Sequence, residues 1–295
     1  RVLTSVDNFG NAVWKDLGIP QFSGCPIVSA WTQGCILYLE NCTGGTITAD
    51  TCSTFGDVSP YKYGAGVDSI RPILGSLQTS GTRASIGGGH LNHIVDSHSG
   101  RIGGGLYNLI SGATGAGIQA GGSNVIRKSH YGHISAGVSN TIGTDTISVY
   151  ASFIGAGGYN NIIGSYGYNV ITGGYNNEIG KTYHTDELGY SNIVGGYKNS
   201  IYGEGTLYSS IVGGYQNEIS GSTNAFIGGG KDNTIYDGSG TLNYSSIVGG
   251  HINKINNSVY SIIGGGFNNY IRTSDNSLIV GGEDNSINFF SDNSL

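Results

Sequence analysis

Eleven residues, SSIVGGYQNEI at 209–219, recur with small changes as SNIVGGYKNSI at 191–201, SSIVGGHINKI at 245–255 and SLIVGGEDNSI at 277–287. With the first Ile taken as position 0, a Gly stands at +3, an Asn at +6 and a second Ile at +8. The frame begins at Ile86 and returns at Ile102, Ile118, Ile134, Ile171, Ile193, Ile211, Ile227, Ile247, Ile263 and Ile279. A twelfth copy, SFIGAGGYNNII at 152–163, fits when one residue is inserted after Ile154. The commonest spacing is 16 residues, with the two Ile rows half that distance apart. A repeat built from two helices needs about 33 residues or more. Sixteen residues at ~3.3 Å each make two short strands and their turns. The spacing therefore predicts an all-β fold, a narrow parallel β-solenoid of about twelve coils.

Period-two alternation would point positions −2, 0 and +2 inward: a small residue, then Ile, then Gly or Ala. The second Ile would meet them from the opposite strand. The Asn row reads as Asn92, Asn108, Asn124, Asn140, Asn161, Asn177, Asn199, Asn217, Asn233, Asn253, Asn269 and Asn285. Asn tolerates the left-handed conformation of a tight turn, and stacked amides can bond from coil to coil. The row is expected to be a structural ladder, and the Gly pairs, which no helix pattern follows, to be scaffold. Neither the G-G-x-G-x-D pattern of calcium-binding rolls nor a Thr row in one register is present.

Composition narrows the function. A net charge of −6 and a pI near 5.5 offer no basic footprint for nucleic acid. No apolar run approaches the ~18 residues of a membrane span, so no membrane insertion is expected. The four cysteines, Cys25, Cys35, Cys42 and Cys52, read as two disulfides or four free thiols. They form no C-x-x-C pair, so no metal and no cofactor are expected. Catalysis is not expected either. Asp186 and Glu187 are sequence neighbours that point apart on an extended segment, and Asp232, Asp275, Glu283 and Asp284 scatter over turns. His90, His93, His98, His130 and His133 have only Asp96 as an acidic neighbour in sequence.

Two Ile per coil make a thin core, and apolar residues fall outside it. Position +1 carries Val194, Val212, Val248 and Val280, and position −1 carries Phe153, Val170, Phe226, Ile262 and Leu278. An outward apolar row on a straight solenoid is self-complementary, so a homo-oligomer along a common axis is expected.

The S-x-I-x-G-G-x-x-N-x-I coils, over residues 84–295, resemble the head repeats of trimeric autotransporter adhesins. They are similar, more closely, to the Asn- and Gly-rich versions found in phage and other viral fibres. Their coils are longer than the adhesin ones and use Asn where those use Ala or Ser. The resemblance implies left-handed coils and a homotrimer. Residues 1–20 are similar to a V-L-T…D-x-x-G-N-x-x-W segment of tail-fibre-like proteins, matched by Val2, Leu3, Thr4, Asp7, Gly10, Asn11 and Trp14. They read as a β-hairpin-like connector turning near Asp7–Gly10, followed by a Cys-containing module and solenoid entry at 21–83 and the solenoid at 84–295. A start at Arg1, the absence of Met and an SDNSL ending that copies residues 274–278 suggest a piece of a longer polypeptide with further fibre segments on either side.

Function is then expected where the coils are interrupted. The chain lengthens at Gly143–Ser152, Gly180–Asn192, Tyr202–Ser210 and Tyr236–Ser246, all at one corner of the coil. These insertions gather Tyr183, His184, Asp186, Glu187, Tyr190, Tyr202, Tyr208, Tyr236, Asp237 and Tyr244. Tyr beside short carboxylates suits a sugar, with the ring under an apolar sugar face and the acids accepting hydroxyl protons. The +4 row, Tyr175, Tyr197, Tyr215, Lys231, His251 and Phe267, is expected to stack from coil to coil. The expected function is a virion fibre that attaches to a host surface receptor, a glycan, at the virion surface. A bacterial cell-surface adhesin head and a purely structural extracellular filament are the alternatives.

Overall fold

The computed structural model describes residues 81–288 except 147, 164–166, 181–188 and 239–243, together with the backbone of strands between residues 2 and 79. The chain divides into two compact units, Arg1–Pro60 and Tyr61–Leu295. In the first, Val2–Val6 pairs antiparallel with Ala12–Lys15, as a hairpin reading requires, and its turn lies outside the described residues. Ile27–Gln33, Ile36–Asn41 and Thr46–Asp50 form a three-stranded antiparallel sheet. The four cysteines lie outside the described residues.

The second unit is a parallel β-solenoid. Strands carrying the first Ile build a front sheet of 14 strands, from Leu278–Ile279 back to Ser85–Ile86 and on to Ile70–Pro72 and Tyr61–Tyr63. Strands carrying the second Ile build a back sheet of 13, from Ser286–Asn288 to Gln78–Thr79. From Ile86 onwards each Ile pairs with the Ile of the next coil, in the front sheet (Ile211↔Ile227) and in the back (Ile219↔Ile235). Two corner ladders of single bridges join the sheets' edges, one running from His90 and Leu106 to Phe267 and Glu283. No helix occurs among the described residues.

Both Ile rows are buried, almost all at 0–1% exposure. Each Ile contributes on the order of 1.5–3 kcal/mol by leaving water. Position −2 is buried too (Ala84, Ser209, Ala225, Ser245), as the alternation predicts. Position +2 departs from it. A side chain at Gly88, Gly213 or Gly281 would meet nothing within 4 Å, so this position faces outward. The strands are only two or three residues long, and the turn overrides the alternation as soon as they end.

The turn itself falls one residue earlier than expected. The ladder Asn does not take the left-handed conformation; the residue before it does, at Leu91 (φ 52°), Tyr107 (φ 57°) and Ile252 (φ 58°). Gly at +3 also has positive φ, +93° at Gly214, where an added Cβ would collide with the Gly230 carbonyl and sit 2.6 Å from the Asn217 amide nitrogen. Two left-handed residues so close together reverse the chain and aim the next side chain, Asn, into the roll.

Inside, the Asn row forms the ladder. Asn108 donates from its backbone N–H to Asn92 Oδ1 at 3.0 Å and from Nδ2 to the same oxygen at 3.1 Å. The same Nδ2 also reaches the carbonyls of Gly104 at 3.0 Å and Gly121 at 2.9 Å. One member differs from the sequence reading. The ladder passes through Asn160, whose N–H donates to Asn140 Oδ1 at 3.0 Å, and not through Asn161. Asn161 lies in a back-sheet strand, paired with Thr141 and Glu178. Ile154 and Ile162 already keep the eight-residue spacing, so the extra residue of this coil falls between Ile162 and Ile171.

A second ladder had no counterpart in the sequence reading. At the opposite corner, Ser209 Oγ donates to Ser222 O at 2.8 Å and accepts from Ala225 N–H at 3.2 Å. Ser245, Ser261 and Ser277 continue it in the same way.

Candidate binding surfaces

The four insertions leave and rejoin the roll at one corner. Each leaves a back-sheet strand and returns to a front-sheet strand: Thr141–Ile142 to Phe153–Ile154, Glu178–Ile179 to Asn192–Ile193, Ser200–Tyr202 to Ser210–Ile211, and Thr234–Tyr236 to Ser246–Ile247. Tyr183, His184, Asp186 and Glu187 lie outside the described residues.

Of the remaining candidates, Tyr190 and Tyr208 come together. With Tyr168 they stack face to face at the −3 position of successive coils, at centroid distances of 5.1 and 4.9 Å. Tyr244 stacks on Tyr260 at 5.2 Å. These rings are about half exposed, but their faces are occupied by one another. What they offer a ligand is a column of ring edges and hydroxyls, not the open ring face that the sequence suggested.

Tyr202 and Tyr236 stand elsewhere, on the back sheet, in one row with Ser220 between them. The Tyr202 hydroxyl donates to Glu218 Oε1. Burial, and then that bond to Glu218, push the phenol well above its ordinary range, so it stays protonated. Asp237 is 3% exposed and forms no part of the surface.

The +4 row stacks as expected. Tyr175, Tyr197 and Tyr215 follow one another at 5.7 and 5.2 Å with nearly parallel rings. Lys231 Nζ then lies 5.7 Å from the Tyr215 centroid, and His251 packs on Phe267. Asp232 joins the same corner, 3.7 Å from Lys231 Nζ and 3.5 Å from His251 Nε2. All three are partly exposed, so these contacts add little stability.

The two outer faces of the solenoid differ. On the front sheet Val194, Val212, Phe226, Val248, Ile262 and Val280 are exposed, Val280 by 79%. On the back sheet the equivalent outward positions include Glu178, Ser200, Glu218, Thr234 and Lys254. No group of three or more His, Cys, Asp and Glu with metal-binding geometry occurs among the described residues. No helix of the described residues is long and apolar enough to cross a membrane.

The tyrosine column was legible in hindsight, since Tyr131, Tyr168, Tyr190, Tyr208, Tyr244 and Tyr260 all stand three residues before a first Ile. The sequence reading grouped Tyr by loop and not by register, and so mixed two separate rows. No protein-family model matches this chain, and no curated protein matches it.

Proposed function

We propose that the chain is the shaft-and-head module of an extracellular fibre, a virion tail fibre, that associates with copies of itself and presents a receptor-binding surface to a host glycan. The observation that carries this reading is the asymmetry of the two faces. Val212 and Val248 at +1 alternate from coil to coil with Phe226 and Ile262 at −1 along the front sheet, and an apolar strip of that kind is a docking face. Every copy carries the same strip, so copies lying parallel meet along their length. The likeness to adhesin and viral-fibre coils argues for three copies and for left-handed coils. In such a trimer the apolar strip of each front sheet, from Val194 onwards, turns to the common axis. The insertion corner and the back sheet remain outside, in three copies, where avidity compensates weak single-site affinity.

A bacterial adhesin head would use the same geometry on a cell surface, and a structural filament would lack the receptor. The role proposed is binding and structural, with no catalysis. Two measurements test it. Light scattering on the full chain should give a mass three times that of the 30.5 kDa chain, and Val212→Lys with Val248→Lys should reduce it to the monomer while the β-rich circular dichroism persists. A monomeric wild-type mass overturns the self-association. A glycan-array screen that finds no ligand for the intact oligomer leaves the filament reading in place of the receptor-binding one.

A further inference from the structure

The first coils carry a different surface. Between residues 81 and 134 the chain holds Arg83, Arg101, Arg127 and Lys128 against a single acid, Asp96, in a protein whose net charge is −6. Five of its seven histidines fall in the same stretch. The apolar outward row is missing here. Position −1 reads Ser85, Arg101, Gly117, His133, and position +1 reads Gly87, Gly103, Gln119, Ser135.

In this stretch the front sheet is notched. Arg101, Gly117 and His133 are in register on adjacent strands, so one outward side chain is absent between a cation and an imidazole. The two flanking residues stand two strand spacings apart, about 9.5 Å. Two residues before, the chain repeats the omission with Ser99, Gly115 and Tyr131. A recess of about 530 Å3 results, floored by the backbone of Gly103, Gly115 and Gly117 and edged by Arg101, Gln119, Tyr131 and His133. His133 Nδ1 comes within 2.8 Å of where a Gly117 side chain would begin, and Tyr131 Cδ1 within 2.8 Å of a Gly115 one, so both rings lean over the glycines and wall the recess. Among the described residues no carboxylate pairs with Arg101 and no ring stacks on Tyr131, which is 66% exposed. In this, Tyr131 differs from the tyrosines of the later coils.

We infer that this recess binds a carboxylated sugar, a single uronic-acid-type ring. The guanidinium of Arg101 takes the carboxylate with two parallel hydrogen bonds. The glycines keep the recess open beside Arg101, the exposed Tyr131 ring covers an apolar sugar edge, and Gln119 and His133 at the rim meet hydroxyls. A bare inorganic anion would use Arg101 and leave the rest of the recess empty. The recess lies on the front sheet, in coils that precede the apolar strip and carry none of its residues, so its binding is read apart from self-association along that strip.

Saturation-transfer NMR on the full chain, with methyl glucuronide, methyl glucoside and inorganic phosphate as probes, tests the site. Signal is expected for the glucuronide and not for the glucoside, with phosphate at equal concentration displacing little of it. Arg101→Gln should weaken the glucuronide at least tenfold. Gly117→Val should do the same by filling the notch, since Gly117 has no positive φ and a Cβ there would press only on the movable His133 ring. Arg83→Gln should leave binding unchanged. The assignment fails if the glucoside binds equally, if phosphate displaces the sugar completely, if no transfer occurs at millimolar glucuronide, or if both site variants retain the wild-type signal. Light scattering on the same samples reads self-association independently.

Discussion

The amide of Asn217 bridges three coils: its backbone N–H donates to Asn199 Oδ1 at 3.0 Å, and its Nδ2 donates to Gly213 O at 2.9 Å and to Gly230 O at 3.0 Å. Its own Oδ1 receives both the N–H and the Nδ2 of Asn233 at 3.1 Å. No other side chain that fits the space offers two donors and a two-lone-pair acceptor in one plane.

Asn217→Ala should therefore cost far more than its small loss of volume. It leaves the buried Asn233 N–H without its acceptor, worth about 1–3 kcal/mol, and takes one hydrogen bond each from the part-buried carbonyls of Gly213 and Gly230. A loss of about 3 kcal/mol or more is expected in denaturant unfolding. Native-state hydrogen exchange should show the Asn233 amide speeding up while coils several repeats away keep their protection. Uniform exchange would mean that the coils unfold as one unit.

Adjacent glycines should behave oppositely. Gly214→Ala places a Cβ in a left-handed turn and against the Gly230 carbonyl, and should destabilise by about 2 kcal/mol or more. Gly213→Ala meets nothing within 4 Å at a position without positive φ, and should change stability by less than about 0.5 kcal/mol. Thermal melts of the two variants, measured side by side, check the assignment of the turn.

His133 should give an acid-side slope. Its ring is stacked 5.8 Å from that of Phe153, and burial lowers its pKa below 6.5. The unfolded chain then takes up the proton first. The contribution of the neutral imidazole is complete above pH 6.5 and is lost as pH falls through the folded value. His133→Phe keeps the stack and should flatten the difference in melting temperature between about pH 7 and pH 5 relative to wild type.

Tyr202 should give the alkaline counterpart. Its pKa is raised above 10.0 in the fold, so the folded chain holds the proton more tightly. That stability is present below the unfolded value and disappears as pH rises through the folded one. Stability should fall above about pH 10, and Tyr202→Phe should remove part of that fall at a cost near neutrality of about 0.5 kcal/mol, small because the pair is half exposed.

The parallel roll was legible because its cause is periodic. A 16-residue spacing with Ile rows eight apart admits two short strands per coil, and stacking identical coils puts Ile on Ile whatever the turns do. The Asn ladder and the small −2 row followed from the same repetition. The outward apolar strip was readable too, since Val194, Val212, Val248 and Val280 recur at one position. Less of the candidate surface could be read. Tyr190 and Tyr202 lie close in sequence, yet one joins a corner column and the other a sheet face, because Tyr190 stands at the corner before the front strand Asn192–Ile193 and Tyr202 ends the back strand Ser200–Tyr202.

What the sequence determined by itself is thus the repeat, its length and the residues that can face inward. Repetition multiplies a weak preference at each position until only one register satisfies every coil. The tertiary structure alone decided where the turn falls, that Asn160 and not Asn161 carries the ladder, that serines bond along the opposite corner, and that Gly117 leaves a notch between Arg101 and His133. Each of these depends on what the neighbouring coil places within hydrogen-bonding or van der Waals reach, and that neighbour stands 13 or more residues away along the chain.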